Sequence, residues 1–396
     1  MTTANPLHYL SEQLESWRQA GTYQRLRVLE TACEPVATFD GREVINLASN
    51  NYLGLADHPK LVEAAVEATK KYGAGSGAVR TISGTMSIHM ELERRIAQFK
   101  NTEACVVFQS GFAANAGTVS AILTPEDHII SDALNHASII DGCRLSKAKI
   151  HVFPHKDTDA AAKILGDLSG TAGRKLLITD GVFSMDGDIG PLPALVEAAE
   201  RHGAIMMIDD AHSSGVLGRN GRGTVDHFGL HGRVDIQVGT LSKAIGVLGG
   251  YVCGSKDLIE FLYRRARPFL FSTSHPPGVA AACLAAFQIL EDEPERIQKL
   301  WDNTRYFKAA VSGAGFNTGD SETPITPIMV GEAKTAHAFS AALFDNGLLA
   351  TGIGFPTVPE GKARIRTIVT ATHTREMLDR AAEILTRVAK SIGILR

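Results

Sequence analysis

The sequence has little net charge and no long apolar segment. Its 40 lysines and arginines nearly balance its 43 aspartates and glutamates, which gives a formal net charge of −3. This balance provides no electrostatic basis for binding nucleic acid or a membrane surface. The apolar runs are too short for a spanning helix, and the first residues lack the basic start and apolar run of a signal peptide. We therefore expect a cytoplasmic protein with small-molecule substrates.

Cysteine is also scarce. The five cysteines show no CxxC spacing, which favours reduced and mostly buried thiols. The histidine pairs 151/155 and 227/231 have no glutamate base nearby, and no metal site is predicted. The glycine cluster at 73–77 does not follow a predicted strand, and the segment 249–256 carries the lysine and hydroxyl residue of a phosphate loop in transposed order. Both features weaken the alternative of a nucleotide-binding α/β protein.

Short apolar runs alternate with helical stretches over much of the chain. The runs predicted as strands are 104–109, 128–131, 149–153, 175–179, 204–208, 235–239 and 250–253. Nearly continuous apolar strands separated by helices predict an α/β fold with a seven-strand, mostly parallel sheet covered on both faces. We expect an N-terminal arm over 1–58, a large α/β domain with the cofactor site over 59–285, and a smaller C-terminal α+β domain over 286–396.

Lys243 is poorly placed to be an ordinary surface charge. It follows a short apolar run and lies among small residues, in the segment Gly-Thr-Leu-Ser-Lys-Ala at 239–244. Small neighbours allow a bulky group to approach the amine, and partial desolvation favours its neutral, nucleophilic form. Such an amine is suited to form a Schiff base with an aldehyde cofactor.

Asp209 ends a predicted buried strand, and Asp210, Ala211 and His212 follow it. Because ligands of open parallel sheets bind beyond the carboxyl ends of the strands, this carboxylate is well placed to pair with a protonated pyridine nitrogen. Together with Lys243, it predicts a site for pyridoxal phosphate (PLP), with His212 near the phenolic oxygen of the ring. The alternative is a solvated Asp-Asp turn with a surface histidine.

Two further turns stand at predicted helix starts. The first comprises Ser110, Gly111 and Phe112, where unpaired helix amides form an anion site and Ser110 caps the helix, unless this is a plain strand-to-helix turn. In the second turn, Asn135 is expected to cap the helix and His136 to lie flat on the cofactor ring, although a structural histidine is the alternative.

Two other segments carry candidate polar contacts. Ser184 lies in the glycine-punctuated loop 179–187 and is a candidate donor to the phenolic oxygen, but an ordinary β-turn fits the same residues. Arg364 and Arg366 alternate in a predicted strand, so both face one side. A guanidinium is the natural partner of a substrate carboxylate, and a surface arginine pair is the alternative.

Seven segments, taken in order, resemble the α-oxoamine synthases, which are PLP enzymes with the aspartate aminotransferase fold (PLP fold type I). They are Asn-Asn-Tyr-Leu-Gly-Leu at 50–55, Asn-His-Ala-Ser at 135–138, the loop 180–187, Asp-Asp-Ala-His at 209–212, Thr-Leu-Ser-Lys at 240–243, Phe-Ser-Thr-Ser at 271–274 and Ala-Arg-Ile-Arg at 363–366. The resemblance extends from about Gly41 to the C-terminus.

This resemblance implies a role for each candidate. Lys243 forms the Schiff base, Asp209 pairs with the pyridine nitrogen and His136 stacks on the ring. His212, also expected to be catalytic, and Ser184 contact the phenolic oxygen. The implied phosphate contacts are Ser110, Gly111, Phe112, Thr240, Ser242 and Thr273, the last from a second subunit. A homodimer with shared active sites follows, and Asn50 with Arg366 would hold the substrate carboxylate.

Within the family, the segment 131–149 and Asp180 are most similar to the 2-amino-3-ketobutyrate CoA ligases, also called glycine C-acetyltransferases. The resemblance therefore implies transfer of an acetyl group from acetyl-CoA to glycine. The segment 352–359 is more similar to broad-specificity bacterial members that also make 8-amino-7-oxononanoate from L-alanine and pimeloyl-CoA. Transamination and a non-catalytic partner subunit are further alternatives, although such subunits tend to lack the lysine.

Overall fold

The computed structural model describes residues 5–395, so the predictions for residues 1–4 and 396 lie outside it. In chain order the strands are β1 (Val36–Phe39), β2 (Arg42–Asn46), β3 (Ala104–Phe108), β4 (His128–Asp132), β5 (Lys149–Phe153), β6 (Lys175–Asp180), β7 (Ile205–Asp209), β8 (Ile236–Thr240), β9 (Gly250–Gly254), β10 (Ile325–Gly331), β11 (Leu348–Leu349), β12 (Thr351–Ile353) and β13 (Ala363–Ile368).

The helices occupy most of the remaining chain. They are α1 (His8–Gln19), α2 (Pro59–Tyr72), α3 (Ser87–Lys100), α4 (Gly111–Ile122), α5 (Ala137–Ser146), α6 (Thr158–Asp167), α7 (Leu192–His202), α8 (Thr224–His227), α9 (Lys256–Arg265), α10 (Arg267–Leu270), α11 (Pro277–Asp292), α12 (Glu295–Gly313), α13 (Ala333–Asp345) and α14 (Arg375–Ser391).

The chain forms two compact units. The sheet unit comprises Asn50–Ser184 and Asp188–Leu300, and the second unit comprises the described parts of Met1–Ser49 and Trp301–Arg396 together with Met185–Gly187. The domain limits 1–58, 59–285 and 286–396 stay a prediction.

A seven-stranded sheet is the centre of the sheet unit and confirms the predicted fold class. Its strand order is β3-β9-β8-β7-β6-β4-β5. The neighbours from β8 to β5 run parallel, whereas β9 runs antiparallel to both β8 and β3. Strands β3 to β8 therefore all end at one edge of the sheet, where β9 begins. Every turn that carries a predicted cofactor residue after these strands lies at that edge.

Alternation along the strands explains why they are apolar almost throughout. In β6, Leu176 and Ile178 pack into one buried cluster, and Leu177 between them packs into another. Met206 and Met207 of β7 divide between the two clusters in the same way. Because helices cover both faces, successive side chains of these strands are all buried.

The second unit has its own sheets and core. One sheet has the order β1-β2-β11, and an antiparallel sheet has the order β10-β13-β12. A separate buried cluster includes Phe307, Phe339, Ile365 and Leu385 from these strands and the helices α12, α13 and α14. This α+β arrangement agrees with the smaller C-terminal fold expected from the sequence.

Candidate active site

The turn after β3 forms the first part of the site. Ser110 caps α4, because its Oγ accepts a hydrogen bond of 3.0 Å from the N–H of Ala113, and this confirms the predicted cap. A Cβ added at Gly250 would lie only 2.3 Å from the carbonyl oxygen of Ser110, so β9 must begin with glycine to come so close. A Cβ added at Gly111 would lie 3.4 Å from Thr240 Cβ. The start of α4 thus packs directly against the end of β8.

Hydroxyl groups face this helix start from β8. Thr240 Oγ1 donates to Gly249 O at 2.8 Å and lies 2.7 Å from Ser242 Oγ. The first amides of a helix have no partner within the helix and carry partial positive charge. Because Thr240 gives its hydroxyl proton to Gly249 O, these amides and the hydroxyl of Ser242 are the donors that suit a phosphate. Phe112, at the second position of α4, has a side chain that is 48% exposed.

Asp209 is buried at the end of β7. Its Oδ2 accepts a hydrogen bond of 2.6 Å from Asn115 Nδ2, and its Oδ1 accepts one of 2.8 Å from the N–H of Ala211. Both donors are neutral, so they orient the carboxylate without neutralising its charge. Asp210 is buried as well, and so is His212, which makes the alternative of a solvated Asp-Asp turn with a surface histidine wrong.

His136 lies close to Asp209 and Lys243. Burial lowers the pKa of its imidazole; the charge of Asp209 acts against this effect and that of Lys243 adds to it. His136 is also the cap of α5, because its Nδ1 accepts from the N–H of Ser138 at 3.2 Å. The prediction that Asn135 caps this helix is therefore wrong.

Asn135 instead joins two strands. Its Nδ2 donates to Ser131 Oγ of β4 at 2.9 Å and to the carbonyl oxygen of Ile178 of β6 at 3.0 Å, and its Oδ1 accepts from the N–H of Asp180 at 2.9 Å. Because its side chain lies between β4 and β6, it is not available to the first amides of α5. Asp180 in turn accepts from the N–H of His136 at 2.7 Å. Burial raises the pKa of Asp180 well above its usual range, and the neighbouring charge of Asp209 adds to the rise.

Lys243 lies half-buried in the turn between β8 and β9. The turn is closed by backbone hydrogen bonds of 2.9 Å from Gly246 N to Lys243 O and from Leu241 N to Gly249 O. Leu241 and Ala244, on either side of the Ser242-Lys243 pair, are buried. The backbone of Lys243 is thus fixed at the edge of the sheet where β7 ends in Asp209.

His212 is buried beside an aromatic residue that the sequence did not single out. Its Nδ1 lies 2.8 Å from the hydroxyl of Tyr52, and the two rings meet edge to face. Tyr52 follows Asn50, whose carbonyl oxygen accepts from the N–H of Tyr52 at 2.8 Å. The segment 50–55 therefore reaches the turn after β7, and Tyr52 orients His212.

Three further candidates lie in a loop, in an exposed segment and in a strand of the second unit. Ser184 is half-buried in the loop after β6. Thr273 is exposed, and its carbonyl oxygen accepts from Gln109 Nε2 at 2.7 Å, next to Ser110 in sequence. Arg366 belongs to the second unit, where it lies opposite Pro327 and Thr351. Roles for these side chains stay predictions.

Arg364 has a structural partner within the second unit. Its guanidinium forms an ion pair with Asp186 and donates to the carbonyl oxygen of Met185 at 3.0 Å. Its side chain is 3% exposed, so the alternative of a surface arginine pair does not describe Arg364.

Comparison with known proteins now adds to this geometry. Residues 42–385 match the family described as Aminotransferase class I and II. The chain belongs to this family. A relative from Symbiobacterium thermophilum named 8-amino-7-oxononanoate synthase is 61% identical over 387 residues, 98% of this chain and 99% of the relative. The 8-amino-7-oxononanoate synthase 1 of Bacillus subtilis is 54% identical over 387 residues and 98% of each chain.

A solved structure agrees over the full length. Serine palmitoyltransferase of Sphingomonas wittichii superimposes with a TM-score of 0.94 at 30% identity, covering 99% of this chain and 100% of the other. With the relatives above, it places the chain in the α-oxoamine synthase branch of the class I and II aminotransferases. The protein is therefore a PLP-dependent enzyme of the acyltransferase type.

The relatives correct one expectation. A glycine C-acetyltransferase was predicted from the segment 131–149 and Asp180, and this prediction is wrong, because the relatives at 61% and 54% identity are named 8-amino-7-oxononanoate synthases. The structure gives a physical reason. Asp180 and Asn135 bind backbone groups of neighbouring segments, so they hold the site together and carry no information on the acyl chain.

The residues present fit PLP. The buried Asp209 is held by neutral donors, so its carboxylate suits a pyridinium nitrogen. Glycines 111 and 250 allow the start of α4 to approach the hydroxyl-bearing end of β8, which suits a phosphate group. Lys243 supplies the amine. The close approach at Gly250 is the structural observation that supports this fit most directly.

Two absences complete the description of the site. Among residues 5–395 there is no helix long and apolar enough to cross a membrane. Within the described chain there is also no cluster of three or more His, Cys, Asp and Glu side chains suited to a metal ion.

Proposed function

We propose that this enzyme condenses L-alanine with pimeloyl-CoA, releases CO₂ and free CoA, and forms 8-amino-7-oxononanoate, a reaction of biotin biosynthesis. The observation that carries the proposal is the name shared by relatives that are 61% and 54% identical over nearly the whole chain. At such identity over full length, the site residues and their surroundings are expected to be retained together.

The site chemistry is compatible with this reaction. PLP, when bound, supplies an electron sink for the Cα of the amino acid. Lys243 would hold the aldehyde carbon covalently and, once its amine is released, accept the Cα proton of alanine at Nζ. General-base catalysis of this kind typically contributes about 10²–10⁴-fold.

Other residues would bind and orient. Asp209 would keep the pyridine nitrogen protonated, while His136 lies against the ring and His212, supported by Tyr52, contacts the phenolic oxygen together with Ser184. Ser110, Gly111, Phe112, Thr240 and Ser242 would bind the phosphate. We propose, on the strength of the family resemblance, that Asn50 and Arg366 hold the substrate carboxylate.

A homodimer is part of the proposal. Its support is an exposed apolar pair near Thr273: Ile82 is 82% exposed and Phe271 is 70% exposed. A backbone bridge between Val79 and Thr273 joins the two segments that carry these side chains. Contiguous exposed apolar patches mark interaction surfaces, and in our proposal these two side chains belong to one. Thr273 would contact the phosphate in the partner subunit's site.

The test is a substrate matrix. Glycine and L-alanine are each combined with acetyl-, butyryl-, hexanoyl-, octanoyl- and pimeloyl-CoA, while free thiol and the product mass are followed. We expect the highest kcat/KM for L-alanine with pimeloyl-CoA and a product that has lost CO₂. The terminal carboxylate should matter, so heptanoyl-CoA is the matched control for pimeloyl-CoA.

Lys243→Ala is the control for the enzyme itself, and it should release no thiol above the uncatalysed rate. Preference for glycine with acetyl-CoA would contradict the proposed substrates. A Lys243→Ala protein with normal thiol release would contradict the role of the lysine, whatever the substrate.

A further inference from the structure

A continuous chain of hydrogen bonds joins Asp209 to His136. Asn115 Nδ2 lies 2.6 Å from Asp209 Oδ2 and 2.9 Å from Ser138 Oγ. Ser138 Oγ lies 2.7 Å from His136 Nδ1. Asn115, Ser138 and Asp209 are buried, so water does not compete for these contacts. We call this set of four side chains the relay.

Asp209 determines which group donates and which accepts in each hydrogen bond of the relay. An ionised carboxylate only accepts hydrogen bonds, so Asn115 must turn its NH₂ group towards it. Its two N–H groups then donate to Asp209 and to Ser138 Oγ. The reverse orientation would place the Asn115 carbonyl oxygen against the carboxylate. The buried Oδ1 of Asn115 has no donor among residues 5–395, which shows that the amide gives up a contact to satisfy Asp209.

The direction of these hydrogen bonds determines which nitrogen of the His136 ring carries the proton. Because Ser138 Oγ accepts from Asn115, its own proton is available for His136 Nδ1 at 2.7 Å. The backbone N–H of Ser138 donates to the same Nδ1 at 3.2 Å. A nitrogen that accepts two hydrogen bonds carries no proton, so the neutral ring carries its proton on Nε2. Burial, which lowers the pKa of His136, acts in the same direction.

We propose that Asn115 is a positioning residue that ties Asp209 to His136 and fixes the His136 proton on Nε2. A positively charged His136 would carry an Nδ1–H group that faces the Ser138 hydroxyl proton, whose direction Asn115 sets, as well as the Ser138 N–H. Donors that face each other are costly in a buried site. Asn115 therefore keeps the imidazole neutral beside the cofactor and orients the carboxylate that pairs with the ring nitrogen. The inference rests on the proposed site but not on the choice of substrates.

The experiment is ¹⁵N NMR of the His136 ring in protein with and without PLP. In the wild-type protein we expect an unprotonated Nδ1 and a protonated Nε2 in the neutral ring. Asn115→Asp changes the shape of the side chain very little. It should reverse the donors and acceptors between Ser138 and His136. The new carboxyl group and Asp209 cannot both be ionised at 2.6 Å, so they share one proton. The oxygen that replaces Nδ2 also faces Ser138 Oγ and accepts its proton. Ser138 Oγ can then accept from His136 Nδ1–H at 2.7 Å, a shorter contact than the one of 3.2 Å with the Ser138 N–H.

In Asn115→Asp we therefore expect proton density on Nδ1 and a rise in the His136 pKa of about one unit, a tenfold change in its protonation equilibrium. The acidic limb of the kcat/KM profile should move up by the same amount. Thr118→Val is the matched control, since Thr118 lies buried on the same helix and its Oγ1 has no partner within residues 5–395.

A wild-type proton on Nδ1 would overturn the proposal even if Asn115→Asp failed to fold. Ring shifts in Asn115→Asp that match those of Thr118→Val would overturn it as well. The NMR measurement needs no turnover, so an error in the proposed acyl donor or amino acid would leave its outcome unchanged.

Discussion

Asp209 and Asp210 are neighbours in sequence, both are buried, and their surroundings differ in one respect. The contacts to Asp209 come from the amide of Asn115 and the N–H of Ala211, which are neutral. Asp210 forms an ion pair of 2.6 Å with Lys100 Nζ, and both side chains of this pair are fully buried. One carboxylate is oriented with its charge intact, while the charge of the other is cancelled by a lysine.

From this difference we propose that Asp209 is the functional carboxylate and Asp210 a structural one. The Ser213 hydroxyl and the Thr224 N–H also donate to Asp210, and the lysine donates to the carbonyl oxygen of Arg222 at 2.6 Å. These contacts fasten the chain after β7 to the end of α3. Within residues 5–395, the hydrogen bonds of Asp209 include no such cation, so Asp209 is the one of the two that suits a cationic ring. Burial alone would not have separated the two residues.

Breaking the Lys100–Asp210 pair should have the largest effect on stability. Lys100→Met leaves a buried, uncompensated carboxylate, and loss of one partner of such a pair typically costs about 3–5 kcal/mol in the free energy of unfolding. The double variant Lys100→Met/Asp210→Asn should recover much of that loss. Urea denaturation of the wild-type protein and both variants measures the difference. A loss of less than about 1 kcal/mol in the free energy of unfolding is typical of a surface ion pair. Such a small loss would show that the Lys100–Asp210 pair contributes little to stability.

Asp209→Asn should have the opposite effects, with little loss of stability and a large loss of activity. Asparagine keeps the size, and its Oδ1 can still accept from the N–H of Ala211. Its NH₂ group then faces Asn115, whose amide can turn its oxygen towards it, so the urea midpoint should stay near the wild-type value. The loss of the anion should lower kcat by about 10²–10³-fold, the usual effect of removing one group that stabilises developing charge. Stopped-flow assays with L-alanine and pimeloyl-CoA measure it. A variant with wild-type kcat would place Asp209 among the structural residues, beside Asp210.

The sequence predicted the strands and the edge that carries the site, but not the contacts that define the site. All seven predicted strands exist within one residue at each end, because strands buried on both faces are nearly continuous apolar runs. Lys243, Asp209 and Ser110 were predicted as site residues because each follows such a strand. Asn115 was not singled out, since its contact with Asp209 joins residues 94 positions apart.

Two errors have the same physical origin. Asn135 has the side chain of a good helix cap, yet its contacts lie across β4 and β6, and the neighbouring His136 caps α5 instead. The acyl donor was inferred from Asp180 and the segment 131–149. Asp180 accepts a backbone N–H, a contact that is compatible with any acyl chain. Local pattern identifies residues that are suited to a contact, whereas the folded chain decides which contact they make.

A third polar cluster, around His155, extends the comparison of Asp209 with Asp210. Its expected effect on stability is smaller than that of the Lys100–Asp210 pair. His155 Nδ1 and Nε2 each lie 3.0 Å from a carboxylate, of Asp132 and Asp188 respectively, and Lys156 also contacts Asp188. Burial opposes the charged imidazole, but the two carboxylates prevail and raise the pKa of His155 to about 9. Like Asp210, this group is charge-compensated, so we assign it a structural role.

The pH dependence of stability follows from the rise in the pKa of His155 on folding. A histidine whose pKa rises on folding stabilises the protein fully below about pH 6.5, its unfolded value, and the contribution disappears as the pH rises through about 9. NMR titration of His155 should give a midpoint near 9, and His155→Gln should flatten the fall in stability between pH 7 and pH 9. His151→Gln is the matched control, because burial lowers the pKa of His151. If His155 titrated near 6.5, its ring would be only weakly held, and the stability of both variants would vary with pH as in the wild-type protein.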